Sequence, residues 1–337
     1  MSAGLARGNR GNPAAALRIE QLYGVPVLLS GTASLVLKSS EEAIIDSHFK
    51  MKLQYLQKLP DKTPRVVVHF LAGILPAAAL LHLRQLSLFS MITRIPSNIL
   101  HRVASYVLTT AKDNSRSWFV HIKNLCSQYQ LPHPITQLQT PMSKESFKSL
   151  AKSRIVDYWE QLLRSEAKHL TSLTYFNPHY MSLTKPHPIW TTCHNNTYDV
   201  CRAISQAKML SGRYKTDRLL RHFTDNKEGL CQICSSDSVG SIEHLLLACP
   251  SLEIHRVNLM QMLDNSDYHD ESKFLIRNIM SLKSNVTVQL LLDCSSIPEV
   301  ISLCQSHGER VLEDLFKFSR TWCYTINRER QKLLGRW

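Results

Sequence analysis

The sequence predicts a mainly α-helical protein. Apolar residues recur at three- and four-residue spacing in most segments, for example in "EEAIIDSHFKMKLQYLQKL" and "PAAALLHLRQLSLFSMI", and this period matches one face of an α-helix. The breaks in the pattern fall at proline and glycine, which interrupt helices. β-Branched stretches such as "RVVVHF" have the composition of strands, but they are too few to predict a sheet. We therefore expect a fold of packed helices.

The chain is strongly basic. Lysine and arginine number 40 and aspartate and glutamate 27, which gives a formal net charge of +13 and a pI near 9.4. This charge favours a polyanionic partner such as RNA or DNA, with an anionic membrane surface as the alternative. Nine cysteines, an odd number, are scattered along a chain without a cleavable signal peptide. Reduced thiols and a nuclear or cytoplasmic location are therefore expected.

One apolar run has nearly the length of a membrane span. "VVVHFLAGILPAAALLHL", at 66–83, contains no Lys, Arg, Asp or Glu. His69 and His82 are polar, however, and Pro76 would break the backbone ladder in the middle of a bilayer. The run therefore predicts buried core, and we expect no transmembrane segment and no membrane partner.

Composition divides the chain into seven segments. The expected boundaries are a flexible leader at 1–16, a helical unit at 17–130, a proline-rich linker at 131–141, a long amphipathic helix at 142–176, a second linker at 177–196, basic helices with a Cys/His module at 197–262, and a helical C-terminal tail at 263–337. The leader lacks the apolar region of a secretory signal, and its acid-poor, Arg-bearing composition leaves a transit peptide open.

The densest basic stretch is "YDVCRAISQAKMLSGRYKTDRLLRHF", at 198–223. Only Asp199 and Asp217 oppose its cations, and Gly212 is expected to break its first helix. A solvated polar face is the simplest interpretation of such a run. Its position, ending shortly before Cys231, favours a functional one. The cations are Arg202, Lys208, Arg213, Lys215, Arg218 and Arg221.

Three cysteines and one histidine follow within a short segment, as Cys231-x2-Cys234-x9-His244-x4-Cys249. Thiolate and imidazole are the ligands that zinc prefers, and four protein ligands close the shell of a structural site. On an ideal helix Cys249 lies about 140° round from His244, so both reach one ion only if the last turn distorts. The spacing predicts one structural Zn²⁺ site of the CCHC type. Four idle or buried side chains are the alternative.

Several segments together resemble the C-terminal part of non-LTR (LINE-type) retrotransposon reverse transcriptases. "YGVPVLLSGTASLVL" and "FLAGILPAAALLHLRQLSLFSMI" are similar to the thumb and its connector, and "SWFVHIKNLCSQYQLP" to their continuation. "LSGRYKTDRLLRHF" with the Cys/His cluster is similar to the zinc-binding region, and "SRTWCYTINRERQKLLGRW" to the C-terminal end. The resemblance implies a thumb-like helical bundle, a zinc knuckle, and descent from a transposable element whose parent activity is RNA-directed DNA polymerisation.

The catalytic centre of that family is missing. Its polymerases need a Tyr-x-Asp-Asp-type motif whose carboxylates hold two metal ions, whereas this chain contains no Asp-Asp dipeptide. The acids of the tail, Asp293, Glu299, Glu313 and Asp314, form no grouping typical of a nuclease. We therefore expect a chain that is not an enzyme on its own. The remaining reverse-transcriptase domains are expected partners in a full-length element.

The resulting expectation is a nucleic-acid-binding fragment. We expect Arg213, Lys215, Arg218 and Arg221 to contact phosphates of RNA or DNA, with Lys208 and Arg202 at the edge. Tyr214 either stacks on an unpaired base or packs against a neighbouring helix. A second basic patch closes the last helix, where the helix dipole alone favours cations; its members are Arg328, Arg330, Lys332 and Arg336. The alternative function is a structural or protein-interaction remnant in which zinc only stabilises the fold.

Overall fold

The fold is mainly α-helical, which confirms the predicted class. The structure is a computed structural model that describes residues 11–112, 115–221, 228–234, 236–282 and 284–335. Within these ranges it contains no β-strand, and an isolated antiparallel bridge joins Leu230 to Val239. Most of the expected leader at 1–16 lies outside the described residues.

The helices form two groups along the chain. The first group is α1 (Pro13–Ile19), α2 (Val25–Leu28), α3 (Ser39–Leu56), α4 (Arg65–Ala72), α5 (Ala77–Thr93), α6 (Ile99–Thr110), α7 (Trp118–Gln128), α8 (Pro134–Gln139) and α9 (Lys144–Lys168). The second group is α10 (Pro188–Thr191), α11 (Thr197–Leu210), α12 (Asp217–Leu220), α13 (Glu253–Asp264), α14 (Asp270–Ser281), α15 (Asn285–Asp293), α16 (Pro298–His307) and α17 (Glu309–Leu333). Asparagine and serine side chains cap several N-termini, as at Ser143 before α9 and Asn196 before α11.

The apolar run at 66–83 forms the centre of the first group. Helix α5 packs against α3, α7, α8 and α9, and most of α4 is completely buried. The prediction of buried core is therefore confirmed. The strand alternative for "RVVVHF" is wrong, because these residues form α4, which ends at Gly73 in the left-handed conformation. Packing on all sides overrides the strand preference of β-branched residues.

The described part of the chain contains no single helix that is both long and apolar enough to cross a membrane. Two bent pairs meet those requirements of length and composition only when taken together. They are α4 with α5, bent by 58°, and Asn285–Ser296 with α16, bent by 46°.

Helix α17 forms the centre of the second group. It packs against α11, α13, α14, α15 and α16. Its Arg320 is buried and lies 3.2 Å from the carboxylate of Asp199 on α11. Helix α10 contacts both α1 and α11, and one hydrophobic cluster extends from Leu17 to Ile326. The two groups of helices therefore share a core.

Both proline-rich segments contain short helices. Helix α8 lies in the segment 131–141 and α10 in the segment 177–196, and each buries apolar side chains such as Leu138 and Trp190. Proline stands at the first position of both helices, where its missing N–H has no helical partner to lose. The segment boundaries themselves stay predictions.

Candidate metal centre and the adjacent basic cleft

The four predicted ligands lie together. One ligand atom from each of Cys231, Cys234, His244 and Cys249 falls within 4.8 Å of all the others. The sulfurs of Cys231 and Cys249 are 4.0 Å apart, and Cys234 Sγ lies 3.4 Å from His244 Nε2. Ligand bonds of about 2.3 Å to sulfur and 2.0 Å to nitrogen, in a tetrahedron, separate neighbouring ligand atoms by roughly 3.5–3.8 Å. The cluster can therefore hold one metal ion.

A tight loop presents the first two cysteines. Cys231 N–H donates to Ser238 O at 2.9 Å, and Gly240 N–H donates to Gly229 O at 2.8 Å. Gly229 has a φ of +67°, a left-handed conformation that glycine adopts without steric cost. The loop therefore reverses the chain between Cys234 and His244, as the two ligand pairs require.

The expected distortion of the last turn is a π-helix at His244–Ala248. The N–H of Cys249 donates to His244 O at 2.7 Å, a bond across five residues instead of four. Such a turn contains one residue more than an α turn, and π turns occur often at functional sites. The π turn brings the fourth ligand back toward the third. Pro250 then begins a 3₁₀ turn at Pro250–Leu252.

The environments of the ligands differ. Burial raises the pKa of Cys231, and it raises the pKa of Cys249 to about 12. Burial opposes ionisation of Cys234 as well, but hydrogen bonding to Ser236 brings the pKa of its thiol below the usual value. Burial lowers the pKa of His244, so its imidazole is held neutral, the form that ligates metal. Cys234 is the thiol best prepared to lose its proton to an incoming ion.

Three side chains outside the motif anchor the cluster. Arg256 donates to Cys249 O at 2.6 Å, Trp322 Nε1 donates to Leu246 O at 3.2 Å, and Arg330 pairs with Asp217. The motif did not predict these contacts. Trp322 and Leu246 are 76 positions apart, and Arg330 and Asp217 are 113 positions apart, so no local spacing indicates them.

The predicted basic residues divide into two sets. Lys215, Arg218 and Arg221 are exposed. Arg218 N–H donates at 3.1 Å to Gly240 O, which lies in the loop that presents Cys231 and Cys234, called the metal loop below. Arg202, Lys208 and Arg213 are half-buried. Burial lowers the pKa of Lys208, and the Nε atoms of Arg202 and Arg213 are buried without a hydrogen-bond partner among the described residues. Helix α11 ends before Gly212, whose φ is +66°, as expected.

A cleft of about 340 Å³ opens beside the metal loop. Its lining residues fall within 171–175, 209–221 and 241–243 without filling these ranges, and its charged side chains are Arg218, Arg221 and Glu243. Tyr175 donates its hydroxyl hydrogen to Glu243 Oε1 at 2.7 Å. Although burial opposes ionisation, hydrogen bonds from Ser241 and Tyr175 and the charge of Arg218 lower the pKa of Glu243. Sequence reasoning did not single out Glu243 as a cleft residue.

Tyr214 packs against α17. Its hydroxyl donates to Asn327 Oδ1, and the guanidinium carbon of Arg330 lies 5.8 Å from the centre of its ring. These contacts favour the packing interpretation of Tyr214 over base stacking.

The second basic patch is engaged in intramolecular pairs. Arg328 and Lys332 both pair with Glu329, and Arg330 is buried. Arg336 lies outside the described residues. This patch offers little free positive charge to a ligand.

The acids of the tail are dispersed. Asp293 is buried with His187 Nε2 3.3 Å from its carboxylate, and Asp314 accepts hydrogen bonds from His269 N–H and Ser272. Across the described ranges, the Cys/His cluster is the only group with the spacing of a metal site.

Comparisons with known proteins find no relative. No protein-family model, no curated protein and no solved structure matches this chain. The similarity to reverse transcriptases therefore stays a prediction.

Proposed function

We propose that this chain is a nucleic-acid-binding fragment derived from a non-LTR retrotransposon reverse transcriptase. The observation that supports it is the joining of the basic segment to the metal cluster. The Arg218 backbone donates to Gly240 O, between the second and third ligands, at 3.1 Å. Lys215, Arg218 and Arg221 are exposed on the same module, so they form a local cationic surface suited to phosphates.

The ion of this proposal is a structural Zn²⁺. Three thiols and one imidazole are its preferred donors, and four protein ligands leave no open position for water or substrate. The ion holds the loop at 229–240 against the π turn. Because the four ligand side chains come from both elements, metal binding contributes directly to the folding of this module.

The binding mode follows from the type of side chain. Arginine and lysine on phosphates release counterions, so affinity falls steeply with salt and carries little sequence information. The chain provides no Tyr-x-Asp-Asp-type motif, so polymerisation is assigned to the remaining reverse-transcriptase domains of a full-length element, which are proposed partners.

A double variant, Lys215→Ala with Arg218→Ala, tests the proposal at two of its exposed cations. Binding of single-stranded RNA and duplex DNA is measured by fluorescence anisotropy at low and moderate salt. We expect weaker binding and a shallower salt dependence, since each phosphate contact contributes about one unit to the slope. The matched control, Arg102→Ala with Arg154→Ala, removes the same charge from exposed positions on α6 and α9. Equal affinities in both variants and the wild type would refute binding at this segment.

The alternative function, a structural remnant, is supported by the buried contacts of the module. Asp217, at the start of the basic helix α12, forms a buried ion pair with Arg330. Cys249 O accepts a hydrogen bond from Arg256. A purified chain that requires zinc for stability but binds neither RNA nor DNA would favour this alternative.

A further inference from the structure

The cleft beside the metal loop combines charges of opposite sign. Arg218 and Arg221 line it together with the carboxylate of Glu243. The carboxylate weakens binding of a phosphate alone, because like charges repel. A ligand with negative charge at one end and hydrogen-bond donors at the other fits both kinds of side chain.

Glu243 is held in place as an acceptor. Tyr175 donates to its Oε1 at 2.7 Å, and the same hydroxyl lies 3.3 Å from Asn285 Oδ1. An ionised carboxylate has about four acceptor sites, so the hydrogen bonds from Tyr175 and Ser241 leave acceptor capacity for a ligand. Its two oxygens side by side match a ligand with two neighbouring N–H donors.

Among the common bases, guanine presents that pattern. The N1–H and N2–H groups lie next to each other on its Watson–Crick edge. In a duplex this edge pairs with cytosine, so only an unpaired guanine can offer it to a protein. Cytosine and adenine offer one amino group beside an acceptor, and thymine offers one N–H between two acceptors.

The size and walls of the cleft suit such a base. Its volume of about 340 Å³ falls within the roughly 300–1,000 Å³ typical of small-molecule sites. Leu219 and Ile242 provide partly exposed apolar surface for the base, and Thr216 provides a hydroxyl group. The arginines lie in the same cleft, within the basic segment assigned to phosphates.

We propose that this cleft binds an unpaired guanine, with Glu243 accepting hydrogen bonds from its Watson–Crick edge and Arg218 contacting a flanking phosphate. The inference rests on the proposed nucleic-acid binding and adds base selectivity to it. It makes Glu243 the specificity residue of an otherwise unselective basic surface.

Three single-stranded DNA probes of equal length test the inference: all-thymidine, the same strand with one central guanosine, and the same strand with one inosine. Inosine lacks only the N2 amino group of guanosine. We expect the guanosine probe to bind about tenfold more tightly than all-thymidine, the size of one good bidentate base contact, and the inosine probe to fall between them.

Glu243→Gln should abolish this preference while leaving the affinity for all-thymidine equal or higher. Glu228→Gln removes the same charge from an exposed position outside the cleft lining and should keep the preference. The metal content of both variants is measured as well, and a content equal to that of the wild type shows that the neighbouring His244 is undisturbed. Equal binding of the three probes by the wild type would overturn guanine selectivity and leave phosphate binding intact. No binding of any probe would also overturn the guanine site, and the binding of single-stranded RNA and duplex DNA would then decide the proposed function separately.

Discussion

The guanidinium of Arg330 pairs with the carboxylate of Asp217 at 3.2 Å, and both side chains are almost fully buried. Another nitrogen of Arg330 donates to Lys215 O at 2.9 Å. The final helix, α17, therefore holds the basic segment at two adjacent points. Since Asp217 opens α12 and also lies against Gly240, this ion pair links α17 to the metal loop.

Arg330→Ala should lower the free energy of unfolding by about 3–5 kcal/mol, because it leaves the carboxylate of Asp217 buried and unpaired. Urea unfolding monitored by circular dichroism measures the change. Arg328→Ala is the control, since this arginine is 40% exposed and Lys332 still pairs with the buried Glu329 after its removal. This variant should lose less than about 1 kcal/mol of the free energy of unfolding. Similar losses in both variants would contradict the anchoring role of Arg330.

Removing two ligands should remove the ion and lower stability together. We expect elemental analysis to find one zinc per wild-type chain and little zinc in a variant with both Cys231→Ser and Cys234→Ser. The Tm of this variant should be lower than that of the wild type. Cys304→Ser is the control, because Cys304 is partly exposed and lies outside the cluster. A wild-type chain that lacks zinc, or a double variant that retains it, would show that the cluster does not bind the ion.

The stability of the fold should fall in mild acid because of His69. Burial lowers the pKa of this imidazole from 6.5 to about 4, although its Nδ1 contacts Ile74 O at 2.9 Å. The unfolded chain takes up a proton near its ordinary pKa and the folded chain does not, so stability is present above that pKa and is lost as pH falls toward 4. Between about pH 7 and pH 5 the loss is about 2 kcal/mol.

Urea unfolding at the two pH values measures this loss in the wild type and in two variants. His69→Gln should lose less stability in acid than the wild type, since the titrating group is gone. His48→Gln removes an exposed histidine of the neighbouring helix α3 and should behave as the wild type does. An unchanged acid response in His69→Gln would assign the effect to other groups.

Two glycines with similar backbone conformations should respond very differently to alanine. Gly73 and Gly31 have φ values of +62° and +74°. A Cβ at Gly73 would collide with the backbone of Lys185 and Pro186, whereas a Cβ at Gly31 meets nothing within 4 Å. Gly31→Ala should therefore lower the free energy of unfolding only by the strain of the left-handed conformation, about 1–2 kcal/mol. Gly73→Ala should lower it by more than about 3 kcal/mol.

Thermal unfolding of the two variants and the wild type, recorded under one condition, gives the comparison. A smaller loss in Gly73→Ala than in Gly31→Ala would show that the connection from α4 to α5 does not pack against 185–186 as described.

The features that the sequence could predict are local. The four ligands fall between Cys231 and Cys249, so their spacing alone indicates a common site and even the need for a distorted turn. The helical class is likewise visible in the three- and four-residue period of the apolar positions.

The features that it could not predict depend on contacts between distant parts of the chain. Arg330 belonged to the basic patch predicted at the end of the last helix, and only the packing of α17 shows that it is buried against Asp217. The strand-like composition of 65–70 was outweighed in the same way, because those residues are enclosed by other helices. Tyr175 and Glu243, which meet in the cleft, are 68 positions apart, so no local spacing indicates their contact.

Helix α17 has a consequence for incomplete copies of this chain. Trp322, which holds the π turn, and Arg330, which holds the basic segment, are both on it, far downstream of the ligands that they support. A premature stop codon or a proteolytic cut just after Ser319 would leave all four ligands present and yet remove both anchors. Loss of the C-terminal part of α17 should therefore weaken metal binding as loss of the cysteines does, although all the cysteines of the metal cluster are still present.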